Sequence, residues 1–291
     1  MAAKREGAVV FVTCRAFPEI SEDDALAAKE CQKLGLQVQA STWEDKGVPW
    51  ASFEGVVLRS TWNYYRRSVD FAMWLDSIRG CNVWNPIESL LWNLDKGYLR
   101  DIGKMNLPVV PTKWVENGPS LSLKDLAAEF DCSSLILKPP VSADSHRTFL
   151  VSDKEMGDPS ILSQFRVGDP IMVQPYLAEV QTYGELSFIF IGKEFSHCVR
   201  KTPKRGDFRV QEKFGGLAER LLRPPKEFLS LAQALLGTIS SDLLYARVDM
   251  IGRSGNPLIS ELELLEPSLY FKHDNKAPAR FAKALKKRLE S

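Results

Sequence analysis

Arg247, Asp249, Glu261 and Glu263 are the residues whose types and spacing point most directly to chemistry. They lie between Leu244 and Pro267, where two β-prone runs flank Gly252-Arg253-Ser254-Gly255-Asn256-Pro257, a loop rich in turn formers. With the turn centred on Gly255, Asp249 lies opposite Glu261 and Arg247 opposite Glu263. Alternation then sends these four side chains to one face and Ala246, Val248, Met250, Leu262 and Leu264 to the other. Like charges facing each other across a sheet are destabilising, so the three acids need a reason. A divalent cation is one, because carboxylate oxygens together with nucleotide phosphates are what Mg²⁺ takes. A solvated outer face partly neutralised by Arg247 is the alternative. On repulsion alone, losing one acid would leave the fold as stable or slightly more so.

Other candidates are weaker when taken singly. Leu135-Ile136-Leu137-Lys138 is an apolar strand ending on a lysine before the small-residue loop Val141-Ser142-Ala143-Asp144-Ser145. That arrangement suits a phosphate contact, although a strand-edge lysine often only snorkels. Arg200 to Arg209 is a basic, glycine-bearing segment followed by Gly215-Gly216. Arg59-Ser60-Thr61-Trp62-Asn63-Tyr64 follows an apolar run, at the strand end where open α/β sheets bind ligands. It reads equally as an aromatic packing corner.

The elements that must position these residues begin with Val9 to Thr13, a short buried strand. Ser21-Glu22-Asp23-Asp24 then starts a helix through Ala25 to Leu34 that stops at Gly35. Strands at 36–41 and 55–59 complete a β-α-β order, which predicts a parallel sheet with flanking helices. Prolines at 86, 108 and 111 bracket a helical stretch containing Asn93-Leu94-Asp95-Lys96, as suits a connection between domains. Ile171 to Leu177 is another apolar strand, and 186–191 with 194–200 form a hairpin around Gly192-Lys193. Pro225 to Ile239 and Ala277 to Leu289 are amphipathic helices. No Gly-x-Gly-x-x-Gly follows the first strand, so nicotinamide binding has no support.

Composition narrows the classes. The 291 residues carry a net charge of +1, which gives no global field toward nucleic acid or an anionic membrane. No run approaches the roughly 18 apolar residues of a spanning helix. Five cysteines without Cys-x-x-Cys fit reduced thiols in a cytoplasmic setting, and three scattered histidines form no zinc pattern.

The order of the signals says more than any one of them. A lysine, a strand-end lysine with its small-residue loop, a connection, a basic glycine segment and an acidic hairpin together resemble the ATP-grasp superfamily over residues 95–268. Gly206-Asp207-Phe208-Arg209 before Gly215-Gly216 is similar to the glutathione-synthetase and ribosomal-protein-glutamate-ligase branch. Trp84-Asn85-Pro86, Gln174-Pro175-Tyr176-Leu177 and the run from Glu261 to Ser268 resemble the family of D-cycloserine-forming ligases. The resemblance implies an α/β protein in which two α+β subdomains sandwich ATP behind an N-terminal Rossmann-like α/β domain. It divides the chain into a substrate domain (1–93), a small lid subdomain (94–172) and a C-terminal subdomain with the metal site (173–291).

Roles follow by resemblance, residue by residue. Lys96 and Lys138 would hold ATP phosphates, the backbone of Gln174, Pro175, Tyr176 and Leu177 would read the adenine edge, and Glu185 would hold the ribose. Lys201 and Arg209 would face the triphosphate and an acyl phosphate, with the Gly215 and Gly216 N–H groups free to approach a carbonyl oxygen. Asp249, Glu261 and Glu263 would ligate two Mg²⁺, or Mn²⁺ in their place. Arg59, Ser60, Trp62 and Asn63 would contact a small, amino-acid-like carboxylate or amine substrate. The expected reaction is ATP-dependent carboxylate–amine ligation that releases ADP and phosphate. Intramolecular ring closure, a kinase on the same fold and a non-catalytic nucleotide-binding module are the alternatives, and a homodimer is a further option. Two residues depart from the pattern. Asp144 brings an acid to the phosphate loop, with Arg147 as the expected offset, and Glu263 stands where glutathione synthetase has an asparagine.

Overall fold

A computed structural model describes residues 5–116, 121–166, 168–253 and 255–291. The first layer contains β1 (Arg5–Thr13), α1 (Glu22–Lys33), β2 (Gln37–Thr42), β3 (Phe53–Leu58), α2 (Ser68–Ser77) and β4 (Val83–Trp84). Its strands run parallel in the order β2-β1-β3-β4, as the β-α-β pattern predicts. Ser21 caps α1 by accepting from the Asp24 N–H at 3.1 Å. Glu22, Asp23 and Asp24 in the first turn and Lys33 in the last complement the helix dipole.

The bracketed stretch that follows is two helices, α3 (Ile87–Asn93) and α4 (Tyr98–Lys104). The break falls at Leu94 to Gly97, where the Asp95 carboxylate takes the Gly97 N–H at 2.6 Å and the Lys96 N–H reaches the Pro140 carbonyl at 3.1 Å. The interruption turns Lys96 out of the helix and toward residues 139–148, a loop between two strands of the next sheet.

That sheet is small and antiparallel. It comprises β5 (Lys113–Val115), β6 (Ser134–Lys138), β7 (Phe149–Ser152) and β8 (Ile171–Pro175), in the order β5-β8-β6-β7, with α5 (Leu123–Glu129) and α6 (Pro159–Leu162) in its connections. It has its own core around Leu135, Leu137, Val151 and Val173.

After the short α7 (Glu179–Thr182) come β9 (Glu185–Ile191), β10 (Glu194–Thr202), β11 (Leu217–Arg220), α8 (Lys226–Thr238), β12 (Tyr245–Arg253), β13 (Asn256–Glu263) and α9 (Ala277–Leu289). The strands form an antiparallel sheet in the order β11-β10-β9-β12-β13. One face carries Phe188, Phe190, Val248, Met250 and Leu262 against α4 and α8. The other face is split. Ile189, Ile191 and Tyr245 bury against α9, while Glu185, Ser187, Arg247 and Asp249 continue the same alternation into a polar cleft.

Helix α9 is shared between the large sheets. Phe281, Ala282 and Leu285 pack in one core with Val9 and Phe11 of β1, Val57 of β3 and Tyr245 of β12. The helix approaches β3 so closely that a Cβ at Gly55 would sit 2.9 Å from a Leu289 methyl. Within the described residues, no helix is long and apolar enough to cross a membrane.

Candidate active site

The hairpin of β12 and β13 has the predicted register where the acids lie, Asp249 opposite Glu261 and Arg247 opposite Glu263. Beyond Asp249 the register shifts, so that Met250 faces Ile259 and Arg253 faces Asn256. The extra residue is Ser260. Ile259 meanwhile also pairs with the connector, donating to the Pro108 carbonyl and accepting from the Val110 N–H, both at 2.9 Å. Ser254, at the turn, lies outside the described residues.

Asp249, Glu261 and Glu263 each offer an oxygen within 4.8 Å of the others. The face is not a solvated exterior, because Asp249 is 1% exposed and every acid of the trio meets a cation. Asp249 accepts from Arg247 Nε and Nη2 at 3.0 Å, from Lys201 at 2.9 Å and from Ser187 Oγ at 2.6 Å. Burial alone would raise its carboxyl, but Arg247 and Lys201 override that and hold it well below the usual carboxylate range. Glu261 lies 3.1 Å from Lys96, and the Lys96 and Lys138 charges outweigh burial to lower it. Glu263 pairs with Arg247, yet burial still pushes its carboxyl well up.

Three lysines reach this trio from three segments. Lys96 donates to the Ser142 carbonyl at 2.7 Å, which ties the helix break to the small-residue loop. Lys201 on β10 bridges Asp249 and Glu185, each at 2.9 Å. One ammonium between two carboxylates satisfies one better than the other. Burial, with the Asp249 charge added to it, raises Glu185 to about 7 despite Lys201. Lys138 ends β6, and burial lowers its ammonium although Glu261 opposes the change.

Several expected residues are used differently. Arg59 is not open to a substrate, being 2% exposed. Its guanidinium is fixed by Asp24 at 2.8 Å and the Pro267 carbonyl at 2.9 Å, over the Tyr245 ring. Ser60 is buried beside Asp24, and Asn63 is held by Trp43 at 2.9 Å and Glu44 at 2.5 Å. These three hold the N-terminal layer together. Trp62 lines a cavity of about 160 Å³ shared with Asp23, Glu212, Ser268 and Tyr270.

The basic segment folds onto itself. Arg209 pairs with Asp207 at 2.8 Å and lies 3.8 Å from the Phe214 ring centroid, so its charge is turned toward its own loop. The Gly215 and Gly216 N–H groups are not free, because they donate to the Glu212 carbonyl at 2.8 Å and the Gln211 carbonyl at 3.2 Å. The pair has a steric reason instead. Gly215 has φ +85°, and a Cβ on Gly216 would lie 2.2 Å from the Val210 oxygen. Asp144 is offset by Lys213, not by Arg147, which pairs with Asp169. In the expected adenine segment, Tyr176 commits its N–H to the Ser134 carbonyl at 2.9 Å, and the Gln174 side chain reaches Thr112 at 2.8 Å. Pro175 closes β8 and Leu177 begins the turn into α7, its carbonyl accepting from the Val180 N–H at 3.1 Å.

The segment after β13 shows what residue types alone could not. Five successive carbonyls, Leu264 to Ser268, each accept from a side chain. The donors are Asn85 (2.7 Å), the Tyr245 hydroxyl (3.0 Å), the Trp62 indole (3.2 Å), Arg59 (2.9 Å) and Arg247 (3.2 Å). Asn93 adds a sixth clamp, on the Leu262 carbonyl at 2.8 Å. This rigid run carries Glu266, 7% exposed, whose carboxyl burial raises to about 7.

Glu266 therefore makes stability depend on pH. In the unfolded chain it ionises near 4.5, so between that value and about 7 the fold keeps a proton the unfolded chain has released. Stability from this group is full below about 4.5 and is lost as pH rises through about 7. Glu266→Gln removes the effect, so the variant gains stability relative to wild type between pH 5 and 8, on the order of 2 kcal/mol. Histidines lowered by burial, such as His197, act oppositely but are common to both proteins and cancel in the difference. Urea unfolding at the two pH values is the measurement, and a pH-independent difference would mean a solvated carboxyl.

Comparison with known proteins accounts for this architecture. The family described as "D-cycloserine synthetase DcsG, N-terminal domain" matches residues 9–85. The cycloserine biosynthesis protein DcsG of Streptomyces lavendulae is 29% identical over 98% of this chain and 99% of its own. The crystal structure of D-cycloserine synthetase superposes with a TM-score of 0.81 at 25% identity, covering 97% of this chain and 99% of that one. D-alanine–D-alanine ligase from Bacillus anthracis, in complex with ATP, shares the fold at a TM-score of 0.69 and 16% identity, over 97% and 99% of the two chains. The chain is an enzyme with the fold of the ATP-grasp ligases, similar over 98% of its length to the cycloserine biosynthesis protein DcsG.

Proposed function

We propose that this enzyme activates a small, amino-acid-like carboxylate with ATP and passes the acyl group from an acyl phosphate to an amine, releasing ADP and phosphate. The observation that carries the reading is the meeting of Asp249, Glu261 and Glu263 with Lys96, Lys138 and Lys201, drawn from segments far apart in the chain. We divide the chain for this purpose into a substrate domain at 1–93, a lid expected at 94–172 and a metal-bearing subdomain expected at 173–291, with the second boundary moved past Pro175 because β8 (Ile171–Pro175) pairs whole within the lid's sheet. The five free cysteines fit a cytoplasmic enzyme.

The acidic trio fits Mg²⁺, a hard cation that takes oxygen donors. A bound divalent cation neutralises nucleotide phosphates there, and two ions would share these carboxylates. Lys96 and Lys138 serve as fixed point charges for the β- and γ-phosphates, Lys96 held by the Ser142 carbonyl and Lys138 by the end of its strand. Lys201 is already fixed by two carboxylates, so it needs no reorganisation when charge develops. The loops carrying Asp144 and Lys213 are joined by that ion pair, and closing them over the cleft would exclude water that hydrolyses an acyl phosphate. Ring closure within one molecule is the second reading, favoured by the similarity to D-cycloserine synthetase along the whole chain.

The test is interception. With ATP, Mg²⁺, hydroxylamine and a panel of amino acids and simple carboxylates, the substrate is expected to yield its hydroxamate with one ADP per bond and no AMP. Lys138→Met should weaken a non-hydrolysable ATP analogue roughly 10-fold in calorimetry, the loss of one fixed charge. Formation of AMP and pyrophosphate would exclude the mechanism, and a stable phosphorylated product would make the enzyme a kinase.

A further inference from the structure

We propose that Glu266 is the anchor for the primary ammonium or amine of the substrate, a specificity residue of the same site and separate from the metal trio. The inference rests on the ligase reading and deepens it.

Glu185, Asp249, Glu261 and Glu263 each contact a lysine or arginine. Glu266 is as deeply placed as most of them yet has no ion pair among the described residues. The cations that act on it most strongly, Arg247 and Lys96, are already committed, Arg247 to Asp249 and Glu263 and Lys96 to Glu261 and Ser142. A buried carboxyl without a counter-charge is unfavourable, and it persists where a ligand supplies the charge.

The backbone beneath Glu266 is held by side chains on three successive carbonyls. Its own carbonyl is held by Trp62, with Tyr245 and Arg59 on the carbonyls either side. None of these clamps uses the Glu266 side chain, so the carboxyl adds nothing to the rigidity it receives. Rigidity of this kind suits recognition, since little ordering remains when the ligand binds. Trp62, whose indole holds the Glu266 carbonyl, and Ser268, two residues on, also line the 160 Å³ cavity, so the run that carries Glu266 borders space for a small molecule. A primary ammonium matches the site in charge and in its three N–H donors.

The experiment uses the full chain with the twenty common amino acids in both configurations, each beside its counterpart lacking the amino group. ADP release gives KM for the amino acid and, separately, for ATP. Glu266→Gln should raise the amino-acid KM at least 10-fold and leave the ATP KM unchanged. Glu266→Asp, which keeps the charge, should recover part of the loss, as a purely packing role would not. Compounds without the amine should be used equally poorly by wild type and Glu266→Gln. If hydroxamate still forms while the amino-acid KM is unchanged in Glu266→Gln, this assignment falls and the ligase reading stands. If no carboxylate yields ADP or hydroxamate with the wild type, the ligase reading falls and takes this one with it. Should Glu266→Gln not fold, the Glu266→Asp KM decides, and a wild-type value for an amino acid together with an equal preference for its amine-free counterpart overturns the proposal.

Discussion

Asp249→Asn should lower Mg²⁺-dependent ATP turnover roughly 100-fold or more and should also destabilise the ligand-free protein. Loss of turnover follows from removing one of three oxygen donors, where even supporting residues of metal sites commonly account for 10- to 100-fold. The effect on stability reverses what repulsion among the acids alone implies. Asp249 is buried and accepts from Arg247, Lys201 and Ser187, so the trio is already compensated. Removing the charge leaves two buried cations short of a partner. Breaking a buried pair on one side costs about 3–5 kcal/mol, and the remaining amide oxygen keeps the loss toward the lower end. Glu261→Gln should abolish turnover similarly but change stability by less than about 1 kcal/mol, because that side chain is 27% exposed and meets Lys96 alone. Turnover against Mg²⁺ concentration and urea unfolding separate the two effects. Near-normal turnover of both variants at low Mg²⁺ would remove the metal assignment.

Arg59→Met should destabilise the fold by about 3–5 kcal/mol, because it strands the Asp24 carboxylate at 3% exposure. For a chain of this size the melting temperature should fall on the order of 10 °C. The double variant Asp24→Asn/Arg59→Met should recover much of the loss, since no charge is then left buried alone. The same guanidinium holds the Pro267 carbonyl, so the single variant should also loosen the run that carries Glu266 and raise the amino-acid KM. Thermal unfolding of the three proteins is the check. Wild-type stability with a raised KM would return Arg59 to the direct substrate role its position at a strand end suggests.

The contrast between these two sites shows where local pattern is informative. Asp249, Glu261 and Glu263 were legible because a hairpin is local, and a period of two assigns faces from the turn outward. Even there, the correct pairing of Asp249 with Glu261 depends on a bulge at Ser260, which the pairing of Ile259 with residues 108–110 accompanies. The parallel N-terminal sheet, the lysine-ended strand and the two amphipathic helices were legible for the same reason, since periodicity and caps are written within a dozen residues.

What only the tertiary structure decided concerns partners distant in the chain. Arg59 finds Asp24 35 residues away and the Pro267 carbonyl 208 away, so an arginine that reads as a ligand contact is a clamp. Gly215 and Gly216 read as room for a substrate carbonyl, whereas their N–H groups close their own loop. Asn85 and Asn93 carried only a resemblance until their carbonyl partners 179 and 169 residues away came into view. Glu266 had no separate signal at all. Its distinguishing property is the lack of an ion pair among the described residues inside a crowded cleft, and a missing counter-charge is visible only once the other charges have been placed.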